Sequence, residues 1–175
     1  DLVKIHKSGA IFDTRKLDWM NSEYLKKLSS EELAEKLLTG SWLPEGAAKE
    51  NVQKILPLAR ERIKKLSDIS EFSYFFQEPE YDRGLLVWKD KSFEEIKNSL
   101  SEVAKIIEEK GTENKDALRQ ELDSLGAKFG DRGLAYWPFR VALSGRKASP
   151  DPADIAGILG KETVLRRVGV AIDKL

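Results

Sequence analysis

The 175-residue sequence contains no cysteine and one histidine, His6. Disulfides and thiolate chemistry are therefore excluded, and a lone imidazole leaves too few soft ligands for a structural zinc site. A reducing compartment, the cytoplasm, is expected. No apolar run approaches the roughly 20 residues of a bilayer-crossing helix, and the opening DLVKIHKSGA lacks the apolar centre of a signal peptide. No membrane partner is expected. Net charge is absent too, because 30 Lys and Arg balance 30 Asp and Glu. Glycine and proline are scarce and strand-type alternation is nearly missing, while 41% of residues are hydrophobic and 34% charged. That is the profile of a helical protein with a core and many solvated faces, not of a disordered chain. The sequence begins at Asp1, not at a methionine, which points to a segment cut from a longer polypeptide.

Signatures of catalysis are missing as well. Gly126, Gly130 and Gly133 match no phosphate-binding loop and read as turn glycines. The pairs Glu31–Glu32, Glu94–Glu95 and Glu108–Glu109 are sequence neighbours whose side chains diverge around a helix, so they are caps or solvent-facing carboxylates. His6 has no obvious partner for acid–base work. No catalytic residue and no metal site is assigned.

What is present is helix punctuation. Ser29 with Glu32, and Ser92 with Glu95, form S-x-x-E capping boxes, and Gly40 and Gly111 stand where a left-handed residue would stop the two helices. In FEEIKNSLSEVAKIIEEK, Ile96, Leu100, Val103 and Ile107 share one face. Helices are predicted near 22–27, 30–39, 49–66, 68–76, 82–89, 93–110, 114–125, 138–144, 152–159 and 161–174. The expected fold is all-α and multihelical, made of two small helical subdomains, residues 1–80 and 81–175, joined at the polar stretch QEPEYDRG.

Zero net charge hides local imbalance. Residues 54–65, KILPLARERIKK, hold five cations against one acid, whereas residues 101–123 hold four cations against seven acids. Such runs are commonly solvated faces. The segment WPFRVALSGRKASPDP is less ordinary, because it gathers Trp137, Arg140, Arg146, Lys147 and three prolines with no acid before Asp151. Pro138 suits the first position of a helix, with Trp137 at its entrance and Arg140 one turn on. An indole and a guanidinium on one surface can stack and hydrogen-bond unpaired bases, although Trp137 fits a core position equally well. Ser149 or Asp151 would cap the next helix, and Pro150 or Pro152 would stiffen the loop. In the basic helix, Val52, Ile55, Leu56, Ala59, Ile63 and Leu66 form the buried stripe. Arg60 and Arg62 point about 200° apart, so they serve different surfaces, and periodicity does not say which faces a ligand. Pro57 should kink this helix.

These residues together resemble a family, the C-terminal anticodon-binding region of bacterial-type glutamyl-tRNA synthetase, a class I aminoacyl-tRNA synthetase. SGAIFDTRKLDWMNSEYL is similar to that family's A-x-F-D-x-x-K-L-x-W-x-N-x-x-Y stretch. PFRVALSGRKASPDPADIAGILGKETVLRRV resembles its P-L-R-x-A-L-T-G, loop and L-G-K-E helix, and LARERIKKL its L-x-x-x-R-x-x-x-L helix. Phe139 and Ser144 replace the usual leucine and threonine. The resemblance implies that Arg62 reads the third anticodon base. It implies too that Arg140, Trp137, Ser149, Pro150 and Pro152 line pockets for splayed bases, with Lys65, Arg146 and Lys147 as phosphate contacts. The implied partner is tRNA(Glu), bound by a monomer. ATP and Mg would belong to a catalytic domain whose signatures are absent from these residues, so no cofactor is expected in this segment. The alternative from another class is an all-α scaffold whose charged faces bind proteins.

Overall fold

A computed structural model describes residues 13–175, and His6 lies outside them. Among these residues every regular element is helical, as expected. The α-helices are α1 (Thr14–Lys27), α2 (Ser30–Thr39), α3 (Lys49–Arg60), α4 (Phe93–Lys110), α5 (Lys115–Phe129), α6 (Arg132–Ser144), α7 (Pro152–Leu159) and α8 (Lys161–Asp173). Two 3-10 segments, Leu66–Phe75 and Arg83–Leu86, lie between α3 and α4. None of the described helices is long and apolar enough to cross a membrane.

Helices with strong start signals begin where their caps predict. Both capping boxes close reciprocally: the Ser29 hydroxyl accepts from Glu32 N–H at 3.1 Å while Glu32 Oε2 accepts from Ser29 N–H at 2.8 Å, and Ser92 and Glu95 do the same. Weaker signals mislead. The first helix begins eight residues before the expected 22, at Thr14, because Asp13 accepts from the backbone N–H groups of Arg15 and Lys16. The basic helix ends at Arg60 instead of 66, since the Asp68 carboxylate takes the Lys64 and Lys65 N–H groups at 2.9 and 3.1 Å and holds that stretch in a turn. The helices expected at 68–76 and 82–89 are 3-10 segments. Gly111 has the positive φ of a helix stop, but Gly40 is extended at φ −83° and instead leaves room for the Trp42 ring. Of the three supposed turn glycines only Gly130 is one; Gly126 and Gly133 lie inside α5 and α6.

The largest correction concerns α6. It starts at Arg132, capped by Asp131, so Pro138 is interior and Trp137 is not at a helix entrance. Proline lacks the N–H that would bond the carbonyl four residues back, here Leu134. The buried Ser99 hydroxyl of α4 supplies that donor at 2.7 Å. Pro57, inside α3, stands on the exposed side of its helix.

Packing places α2 against α3 and both against the 66–75 segment, while α6 is the hub for α4, α5, α7 and α8. The buried stripe of α3 is as expected, with Val52, Ile55, Leu56, Ala59 and Ile63 in the core and Leu66 packed beside it. Chain segment 66–75 also touches α6, so the helix that carries Arg140 and the turn that carries Arg62 meet across it.

Candidate nucleic-acid interface

Arg140 projects from the third turn of α6 into the loop before α7. Its Nη1 donates to the Ser149 carbonyl at 2.7 Å, the Ser149 hydroxyl at 2.9 Å and the Pro150 carbonyl at 2.9 Å. Three acceptors on one nitrogen fix the loop, while Nε and Nη2 make no hydrogen bond among the described residues. Burial pushes the guanidinium below its ordinary range and Arg62 adds to that, opposed by Asp151. An arginine so placed stays charged. The same loop is braced from behind by Arg119 of α5, whose Nε reaches Asp151 at 3.3 Å and whose Nη2 reaches Asp154 at 2.7 Å. Asp151 also caps α7, accepting from Ala153 N–H at 2.9 Å. The loop is therefore tied to both α6 and α5.

Arg62 follows α3 in an exposed turn and lines a cleft of about 290 Å³ in which Lys64 and Lys65 face the carboxylates Asp18, Asp68 and Glu71. Arg60 points elsewhere: it is half-buried and its Nη1 reaches the Lys26 carbonyl at the end of α1. Arg146 packs over the 3-10 segment, with Nη2 3.5 Å from the Ser70 carbonyl, and Lys147 and Lys65 are exposed.

The centre of this cluster is a residue that sequence reading missed. Tyr74 is buried, and its hydroxyl has no hydrogen-bond partner. Burial raises its pKa, while the charges of Arg146, Arg62, Arg140 and Arg167 pull it back down, so four arginines from both halves bear on one phenol. A cleft of about 640 Å³ opens beside it, with Tyr74, Ser144 and Arg146 on its wall and the carboxylates Glu78 and Glu80 also lining it. The aromatic run around Tyr74 gave no usable signal, because ring residues at this spacing read simply as core.

Two expectations about the lining need correction. Pro150 and Pro152 are buried, the latter at the first position of α7. Their rings shape the loop and present no stacking surface. Trp137 is half-buried, its Nε1–H donates to the Leu85 carbonyl at 2.8 Å and its ring lies 5.3 Å from Trp88. It anchors α6 to the segment 83–88, and its N–H is already used. Ser149 is half-buried, and its hydroxyl is held between Arg140 and the Pro150 carbonyl.

An all-α body that holds Arg140 against the loop before α7 and leaves Arg62 exposed after α3 belongs to a known class. Residues 12–172 match the family described as anticodon binding domain, and the chain is a member of that family. The chain is similar to the glutamate–tRNA ligases of Clostridium acetobutylicum, 38% identical over all of this chain and 37% of that protein, and of Clostridium tetani, 37% identical over the same shares. A crystal structure of a glutamate tRNA ligase from Elizabethkingia meningosepticum, in complex with its amino acid, superimposes with a TM-score of 0.77 at 27% identity, over all of this chain and 35% of that one. The chain thus spans little more than a third of the length of these relatives.

Proposed function

We propose that the chain recognises the anticodon of tRNA(Glu) as part of a glutamate–tRNA ligase, which would attach glutamate using ATP and Mg in residues outside this segment. The observation that supports this most is the match of residues 12–172 to the anticodon binding domain family, with Arg140 bonded to the loop before α7 and Arg62 exposed in the turn after α3. Arg62 is the reader of the third base, and Arg140 with Ser149 the reader beside it. Lys65, Arg146 and Lys147 are the phosphate contacts. Trp137 supports α6 and offers only ring surface to a base. The protein acts as a monomer in the cytoplasm, with residues 1–80 and 81–175 as its two subdomains.

Titration with a tRNA(Glu) transcript at several salt concentrations tests the reading. Phosphate contacts release counterions, so neutralising Lys65, Arg146 and Lys147 one at a time should flatten the salt dependence by about one unit each. A hydrogen bond from a charged donor contributes about 1.5–3 kcal/mol, so Arg62→Gln should cut discrimination against a third-base variant by roughly ten- to a hundredfold. Indifference of the wild-type chain to tRNA would favour the protein-interaction scaffold, and unchanged selectivity in the variant would remove Arg62 from the site.

A further inference from the structure

Arg167 of α8 is the one charged residue in the core of the described chain, at 4% exposure. Its guanidinium joins two places far apart in sequence. Nη1 donates to the Leu143 carbonyl at 2.6 Å, and Nη2 donates to the Gln77 carbonyl at 3.1 Å and to Glu78 Oε1 at 3.4 Å. Leu143 lies on α6 three residues beyond Arg140, and its carbonyl belongs to the last helical turn, where acceptors lack intrahelical donors and the dipole favours a cation. Gln77 and Glu78 are separated by one residue, Phe76, from the 3-10 segment that carries Tyr74 and that the chain enters from Arg62. Arg166 adds an exposed grip on Glu78 at 2.7 Å.

A guanidinium held in the core is rarely the most stable solution, because desolvation offsets its attraction to its partners, here two carbonyls and an exposed carboxylate. The joint is also under-satisfied, since the Tyr74 and Tyr81 hydroxyls and Arg167 Nε are all buried there without partners. Burial disfavours the Arg167 charge, and Glu78 opposes that effect. A joint built at such cost fixes a geometry more than it adds stability.

We infer that Arg167 is a positioning residue for anticodon reading, setting the offset between Arg62 and Arg140 by tying the end of α6 to residues 77–78. This rests on the reading of those two arginines as base contacts. Lysine cannot reproduce the device, because a single ammonium has no planar fork to span both carbonyls.

The test uses this chain with tRNA(Glu) and third-base-variant transcripts, and compares wild type, Arg167→Lys, Arg167→Met, Arg140→Ala and the Arg167→Met/Arg140→Ala double variant, with thermal melting of each. Arg167→Lys and Arg167→Met should melt cooperatively and lose roughly two- to thirtyfold of the preference for the cognate transcript, with the salt dependence unchanged. In the Arg140→Ala background Arg167→Met should add almost nothing, because its effect runs through Arg140. Wild-type preference in Arg167→Lys, or an undiminished loss in the double variant, overturns the inference. If both Arg167 variants fail to fold, Glu78→Gln decides: it trims one arm of the joint from an exposed position, and an unaltered preference there also overturns it. A wild-type chain that binds without any anticodon preference would defeat the base-reading itself, an outcome distinct from variants that match a discriminating wild type.

Discussion

Ser99 stands in for a missing backbone donor. Its hydroxyl meets, at a buried site, the Leu134 carbonyl that loses its i+4 donor to Pro138 inside α6. Ser99→Ala should therefore expose a full unpaired-acceptor penalty, about 1–3 kcal/mol by denaturant melting. The same substitution in a Pro138→Ala background should cost much less, since the helix would then supply its own N–H. Neither residue announces this pairing in sequence, because the partners are 35 positions apart. Arg140 is different. Its place one turn from Trp137 in an acid-free basic segment marked it as a ligand residue, but its bonds to Ser149 and Pro150 became visible only when α6 and the loop were brought together.

At the level of elements, legibility follows how local the signal is. A capping box is complete within four residues, so α2 and α4 were readable to their first residue and last. The two 3-10 segments and the true start of α6 depend on neighbours: Asp131 as cap, Trp88 and Trp137 as anchor, Ser99 as donor. The α5–α6 pair shows the same dependence through Gly126, where an added Cβ would lie 2.8 Å from the Arg132 Cα. Because that atom is backbone, no rotamer change relieves the contact. Gly126→Ala should force the two helices apart and cost about 1–3 kcal/mol, despite the better intrinsic helix propensity of alanine. A thermal midpoint equal to or above wild type would contradict this packing.

At the scale of the whole molecule, a small set of carboxylates is held in the charged form by its neighbours. The Lys91 side chain, then the Ser92 backbone, bring Glu95 down to about 2, while Arg166 lowers Glu78, Tyr136 lowers Asp123 and Trp88 lowers Asp131. Each of these folded-state values lies below that of the unfolded chain, near 4 for such groups. The stability they contribute is thus fully present above roughly pH 4.5 and is lost as pH falls through the folded values. The melting temperature should hold steady from pH 7 to 5 and fall toward pH 2, and Glu95→Gln should shrink that fall. A fall that begins near pH 6 would point to groups other than these.

The sequence by itself determined the helical class, the positions of the well-capped helices, the apolar stripe of α3 and the identity of the basic segments, because each depends on contacts within a few residues along the chain. Tertiary structure alone decided which cations share a surface. It turned Arg60 toward α1 and left Arg62 exposed, buried Pro150 and Pro152 that were expected at the rim, spent the Trp137 N–H on Leu85, and set Tyr74 and Arg167 between the two helical groups. The reason is physical: a charge acts through space over several ångströms, and the distances that matter here join residues dozens of positions apart.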